Sequence, residues 1–165
     1  MTVLTPATAA FFAAAPHVVS TEVEIAGTTD QAWSVLNDHA SWVEWFTGAK
    51  RVDAQPAQWT APGDTRQIRV NQMTVSEQAI IVEPGVDFAF TILEWPLPIA
   101  KRAAERVQLV DTSRQGEDRV NLIYTGAFEL TMLGRLSWTV AQRGFVNAWG
   151  SAFENLQGVI TERSS

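Results

Sequence analysis

The chain has 165 residues, 46% of them apolar, and a formal net charge of −6 with no run of Lys or Arg, which argues against nucleic acid and anionic membrane as partners. It has no Cys, so disulfides, thiol nucleophiles and thiolate metal sites are excluded, and its two His, His17 and His39, are too few and too far apart for a zinc or iron site. Seven Trp stand against one Tyr, which is unusual and calls for a bulky core or an aromatic-lined space.

In chain order, the first segment is rich in Ala. Thr5-Pro6 suits a helix start, and Pro16 should end that helix by Ala15. The stretch Ala9 to Ala15 is shaped like a signal-peptide core but lacks a basic leader, so a cytoplasmic protein is expected. No run of about 18 apolar residues is present, and no membrane-spanning helix is expected. His17 to Ala26 alternates, with Thr21, Val23 and Ile25 on one face and Glu22 and Glu24 on the other, as in a half-buried strand.

Gly27-Thr28-Thr29 reads as a turn and cap before a short helix, Asp30 to Asn37. Ser41 suits the cap of a second helical turn, Trp42 to Phe46, with Glu44 at its third position. Lys50 to Asp53 is a short strand, and Gln55 to Gly63 is a loop by its Pro and Gly content. Asp64 to Val70 and Met73 to Val82 are strands joined at Asn71-Gln72. Pro84-Gly85 turns the chain into Val86 to Trp95, and the two prolines of Trp95 to Ile99 take that stretch out of any ladder. Ala104 to Asp111 and Arg119 to Leu130 are the last strands, and Gly134 lets the chain turn into a helix.

That helix, Arg135 to Thr161, is the longest element. At about 100° per residue, Trp138, Ala141, Phe145, Ala148, Trp149, Ala152, Phe153, Leu156, Val159 and Ile160 share one arc. Arg143, Asn147, Glu154, Gln157 and Arg163 fall opposite. A helix of about 40 Å with a broad aromatic face needs a concave partner. Successive strands with short connections favour an antiparallel sheet curved around it. The fold class is therefore α+β: seven antiparallel strands wrapped around a C-terminal helix, with two short helices after the first strand. The expected organisation is one domain over residues 1–165, with residues 1–16 as a helical extension and 17–161 as the core. One helix does not fill such a sheet, and the space left over is where function is expected.

The order of elements and the local sequences resemble the helix-grip fold of the SRPBCC superfamily, which includes START domains and polyketide cyclase/dehydrase-like proteins. Val23 to Asp38 is similar to that family's first strand, small-residue turn and following helix. Trp42-Val43-Glu44-Trp45-Phe46 is similar to its second short helix. Pro62-Gly63-Asp64-Thr65-Arg66 resembles the start of the third strand in one bacterial subgroup. Glu77 stands where those proteins carry a strand Glu, Glu83-Pro84-Gly85 matches the turn after it, and Ala104-Glu105 and the final helix continue the likeness. It spans about Val19 to Ile160. The resemblance implies a hydrophobic cavity for a small molecule, with no cofactor, and leaves the activity open.

Several residues are candidates for that cavity. Glu77 alternates with Met73, Val75, Ala79 and Ile81, so it faces inward if they do, and Arg66 on the hairpin partner is its natural counter-ion. The bland alternative is a structural ion pair. Tyr124 alternates with Val120, Leu122 and Phe128, and is either a hydrogen-bond donor to a ligand or a core Tyr satisfied locally. Glu94 and Glu105 could face in or out, a solvated strand end being the simpler reading of Glu94. Asp38-His39 looks like an acid–base pair but more simply serves a helix end. Phe88, Phe90, Trp95, Phe145, Trp149 and Phe153 would line an apolar pocket, or simply pack the core.

Three functional readings follow. The first is binding of a lipid- or polyketide-like small molecule at Arg66, Glu77, Tyr124 and the six aromatics. The second is a cyclase or dehydratase with Glu77 and Tyr124 in acid–base roles and Arg66 orienting. The third is a protein-interaction module, which predicts no sizeable pocket. Gly144, Ser151 and Gly158 fall near one helix flank and leave room for a dimer contact, so monomer and homodimer both stay open. The loop at residues 95–99 is a candidate lid.

Overall fold

A computed structural model of the chain describes residues 1–163. In order, the elements are β1 (Thr2–Val3), α1 (Phe11–Ala14), β2 (His17–Ala26), α2 (Thr29–Leu36), a 3-10 turn (His39–Ser41), α3 (Trp42–Trp45), β3 (Ala49–Gln55), β4 (Thr65–Val70), β5 (Met73–Glu83), β6 (Asp87–Trp95), β7 (Ala100–Asp111), β8 (Arg119–Leu130) and α4 (Met132–Arg163). Seven strands form one antiparallel sheet in the order β2-β8-β7-β6-β5-β4-β3, and α4 lies across its concave face. This is the helix-grip architecture expected from the strand pattern. Among the described residues, no helix is long and apolar enough to cross a membrane.

The N-terminal segment departs from expectation. A helix over Thr5 to Ala15 is reduced to the single turn of α1, and β1 pairs with β6. The β6–β7 ladder ends at Thr91↔Ala104, and the N-terminal segment runs into the gap beyond it. Leu4 N–H donates to Leu93 C=O and Thr5 N–H to Lys101 C=O, both at 2.9 Å. Ala7 N–H donates to the buried Thr91 hydroxyl at 2.8 Å, which in turn donates to Ala103 C=O at 3.1 Å. Ala7 and Phe11 then bury themselves against Ala104 and Ala127 on the convex face. An isolated helix of about ten residues is marginal even when rich in Ala. Sheet hydrogen bonds and apolar burial outweigh that weak propensity.

The short helices close one end of the sheet. Thr28 and Gln31 form a capping box at the start of α2, with Gln31 N–H donating to the Thr28 hydroxyl at 3.2 Å and Thr28 N–H to Gln31 Oε1 at 2.8 Å. Ser41 does not cap α3 as expected. Its hydroxyl donates back to Val35 and Asp38 C=O instead, at 3.0 and 2.8 Å, tying the turn to α2.

α4 is gripped mainly along its second half. Trp149, Ala152, Phe153, Leu156 and Ile160 are buried, and Gln157 clasps Ala26, accepting from its N–H at 2.6 Å and donating to its C=O at 3.2 Å. Asn155 donates to Trp45 C=O at 3.1 Å, fixing α3 against the helix. The first turns stand away from the core: Met132 and Leu136 are each 82% exposed. The helix begins three residues before the expected Arg135. Thr131 caps it, accepting from Gly134 N–H at 3.1 Å. A Cβ on Gly134 would lie 1.9 Å from Ile99 C=O, so this glycine is set by close backbone approach.

Candidate functional site

Where α4 lifts from the sheet, a cavity of about 350 Å³ opens between them. Its sheet wall is Ile68, Val70, Met73, Val75, Phe90 and Ile92. Its helix wall is Ala141, Gly144, Phe145, Ala148 and Trp149. Trp42 and Phe46 of the α3 region close one side, and Trp95, Leu97 and Ile99 form the rim. Among the described residues, the only ionisable side chains in this wall are Glu77 and Glu105. Trp95 and Phe145 meet edge to face at 6.0 Å across the rim, and Leu97 is 43% exposed beside them.

Strand register explains how the two carboxyls reach one place. Arg66 pairs with Glu77, Glu77 with Ile92, and Phe90 with Glu105. Residues opposite each other in a ladder share a face, so Arg66, Glu77, Phe90, Ile92 and Glu105 all point at the helix. Register irregularities in β5–β6 separate Ser76↔Glu94 from Glu77↔Ile92. This shift turns Glu94 to the convex face, where its carboxylate accepts from the Ser76 hydroxyl at 3.1 Å. Strict alternation, applied along β6, would have pointed it inward.

Arg66 does not reach the cavity. Its guanidinium lies 3.7 Å from the ring centre of Trp42 and 4.2 Å from that of Trp59, and its side chain is wholly buried. Its Nε donates to Glu77 Oε2 at 2.5 Å, and neither terminal nitrogen has a hydrogen-bond partner. The aromatic faces offset part of that deficit through cation–π attraction. Burial raises the Glu77 pKa and lowers that of Arg66, each effect opposed by the partner's charge. A guanidinium does not give up its proton in a protein, and the geometry sets Glu77 beside it as the counter-ion of a buried pair. Trp59 comes from the loop after β3 and is held by Asn37, whose amide donates to Trp59 C=O at 3.1 Å and accepts from its N–H at 3.0 Å.

Glu105 is different. Its Oε2 accepts from the Trp149 indole N–H at 3.1 Å, and among the described residues no cation pairs with it. Burial first, and the Glu77 carboxylate second, push its pKa up to about 8, against the Trp149 hydrogen bond and the more distant Arg66. At neutral pH it is mostly a carboxylic acid. Tyr124 stacks on Trp149 with ring centres 4.6 Å apart, and its hydroxyl lies close enough to Glu105 and the Trp149 indole to interact with both without completing a well-formed hydrogen bond. Burial, then Glu105, raise the Tyr124 pKa well above its ordinary value. Gly126, facing Glu105 across the ladder, leaves room for that hydroxyl: a Cβ there would sit 2.6 Å from it.

Of the residues expected at a ligand site, Glu77, Phe90, Trp95, Phe145 and Trp149 line the cavity. Arg66, Phe88, Tyr124 and Phe153 lie outside its lining as fully buried core residues. Asp38 and His39 part company. Asp38 pairs with Arg163 at 3.1 Å, while His39 is buried edge-on to Trp59 with both ring nitrogens unpartnered. Burial, then Arg66, lower the His39 pKa to about 3, so it is a neutral core residue. The sequence leaves the direction of Glu105 open and gives no sign that Trp42 lines the site. For Glu105 the signal was its alternation with Ala103 and Val107, which share its inward face.

A wider depression of about 800 Å³ lies between the N-terminal segment and the β3–β5 side of the sheet. It includes exposed Gln55 and Gln67 together with Glu94, and it lacks the aromatic wall of the inner cavity.

A curved antiparallel sheet gripping a long helix, with an apolar cavity between them, defines a helix-grip protein. The chain belongs to the family described as polyketide cyclase / dehydrase and lipid transport, which it matches over residues 16–161. Solved structures with the same fold include the XoxI protein of Bacillus cereus, at 16% identity and a TM-score of 0.71, covering 90% of this chain and 98% of that one. They also include the Zhui aromatase/cyclase of Streptomyces, at 16% identity and a TM-score of 0.70, covering 90% and 96%. A conserved protein of Geobacillus kaustophilus is similar at 14% identity and a TM-score of 0.65, covering 88% and 96%. No curated protein sequence matches this chain at a significant level.

Proposed function

We propose that the chain binds a hydrophobic or amphipathic small molecule, lipid-like or polyketide-like, between the sheet and α4. The observation that carries this is the aromatic cavity itself, with two carboxyls as the only ionisable groups in its wall among the described residues. Family membership supports the same reading. A cavity of about 350 Å³ counts against an interaction module that works without a ligand. The apolar body of the ligand lies along Trp95, Phe145 and Ala148, with its polar end at Glu77 and Glu105. Leu97 and Ile99 make the 95–99 loop a lid over the opening.

The test is to extract the purified native protein into organic solvent and identify co-purified molecules by mass spectrometry. Trp42, Trp95 and Trp149 also report binding of added apolar probes by their fluorescence. A stoichiometric amphiphile, or saturable quenching, is expected. An empty extract together with no fluorescence response to any probe would reject the reading.

The carboxyl pair favours a second reading, a cyclase or dehydratase, and one structural neighbour is an aromatase/cyclase. Glu77 would serve as base. Glu105 has better access to the cavity than Tyr124 and takes the acid role first given to the phenol, while Arg66 holds Glu77 from behind. With a turned-over substrate in hand, Glu77→Gln should leave apolar binding intact and abolish turnover; unchanged turnover would remove Glu77 as base.

A further inference from the structure

Among the described residues, the cavity wall holds no cationic side chain. Its two ionisable groups are both carboxyls. The nearest cation, Arg66, lies outside the lining, with its Nε committed to Glu77 and its faces against Trp42 and Trp59. Arg66 and Glu77 neutralise each other, which leaves Glu105 as a buried carboxyl with no counter-ion. An uncompensated carboxylate in an apolar interior either keeps its proton or finds a cation. The aromatic rings of Phe46, Phe90 and Trp149 border the same space, and their faces attract cations.

We infer that the cavity takes a lipophilic amine, its ammonium seated against Glu105 and Glu77 and its apolar tail running toward the Trp95–Phe145 rim. This rests on the binding reading above and names the ligand class. The ammonium supplies the missing counter-ion and donates to the two carboxyl groups in the wall. A carboxylate head would find no free cation in the wall, since Arg66 is committed to Glu77. A hydroxyl head can bond either carboxyl but leaves Glu105 uncompensated.

The inference carries a pH signature. The groups facing Glu105 are Arg66 from β4, Glu77 from β5, Tyr124 from β8 and the Trp149 indole from α4; β6 offers only Phe90. Glu105 changes charge near neutrality, around pH 8. An alkylamine stays protonated there, as lysine does. Amine binding therefore expels the Glu105 proton, and affinity should rise by about tenfold per pH unit up to about pH 8.

The experiment is a tryptophan-fluorescence titration of the whole protein with decylamine, decanol and decanoic acid, which match in length and differ in the head group. Decylamine should bind at least about tenfold tighter than either of the others at pH 8, and should lose about that factor per unit on going down to pH 6. Calorimetry in two buffers of different ionisation enthalpy should show close to one proton released per amine at pH 7. Glu105→Gln should weaken decylamine by about tenfold or more and leave decanol within about threefold. Decanol or decanoic acid binding as tightly as decylamine at pH 8 would overturn the amine assignment and leave the cavity function standing. No binding by any of the three would overturn the amine assignment and count against the cavity function as well. Should Glu105→Gln fail to fold, the pH profile and proton release of the unaltered protein decide: a flat amine profile with no proton released refutes the inference.

Discussion

Glu105 makes a sharp test of the interior because its replacement by Gln is nearly isosteric. The glutamine oxygen can still accept from Trp149, so only the titration is removed. In the folded protein Glu105 holds its proton up to about pH 8, whereas the ordinary value is 4.5. Between those values the folded state binds the extra proton. Stability from this group is therefore fully present below about pH 4.5 and is lost as pH rises through about 8. The slope is about 1.4 kcal/mol per pH unit, and the span accumulates to about 4 kcal/mol. Glu105→Gln should match the unaltered protein near pH 5 and exceed it by about 4 kcal/mol near pH 9. Urea unfolding at intervals between those limits gives the difference directly, with every other titrating group common to both proteins. Difference profiles that stay flat from pH 5 to pH 9 would mean that Glu105 ionises normally and is hydrated, and the uncompensated carboxyl would have to be abandoned.

Three further outcomes are expected. His39, neutral in the fold down to about pH 3 against an ordinary 6.5, contributes stability that is present above about pH 6.5 and lost as pH falls toward 3; His39→Phe should remove about 1 kcal/mol or more of that acid-limb loss between pH 6 and pH 4 in urea titrations. Breaking the buried pair by Glu77→Gln should cost about 3 kcal/mol, whereas Arg66→Met with Glu77→Leu should cost much less, which a double-mutant cycle in urea resolves. Gly158→Ala, with nothing within 4 Å of the added methyl, should stabilise by about 0.5–1 kcal/mol, while Gly134→Ala, driven into Ile99 C=O, should lower the melting temperature by several degrees.

The local record in the sequence was strong wherever one physical rule governs a whole segment. The period of 3.6 placed the face of α4 from Trp149 to Ile160, and alternation in β5 pointed Glu77 inward with Arg66 opposite it. Both follow from burial of one face, which a chain writes into its residue order. Tertiary structure alone decided three other matters. The register irregularity in β5–β6 sent Glu94 outward, because one residue of slip reverses every later side chain. Docking of Leu4, Ala7 and Phe11 replaced an Ala-rich helix by a strand and a single turn, since propensity is weak beside sheet pairing and burial. Above all, which candidates face the cavity depended on where α4 leaves the sheet. Glu105 is at the wall and Arg66 and Tyr124 are behind it, because volume left between packed elements is a property of their arrangement in space and of no single segment of the chain.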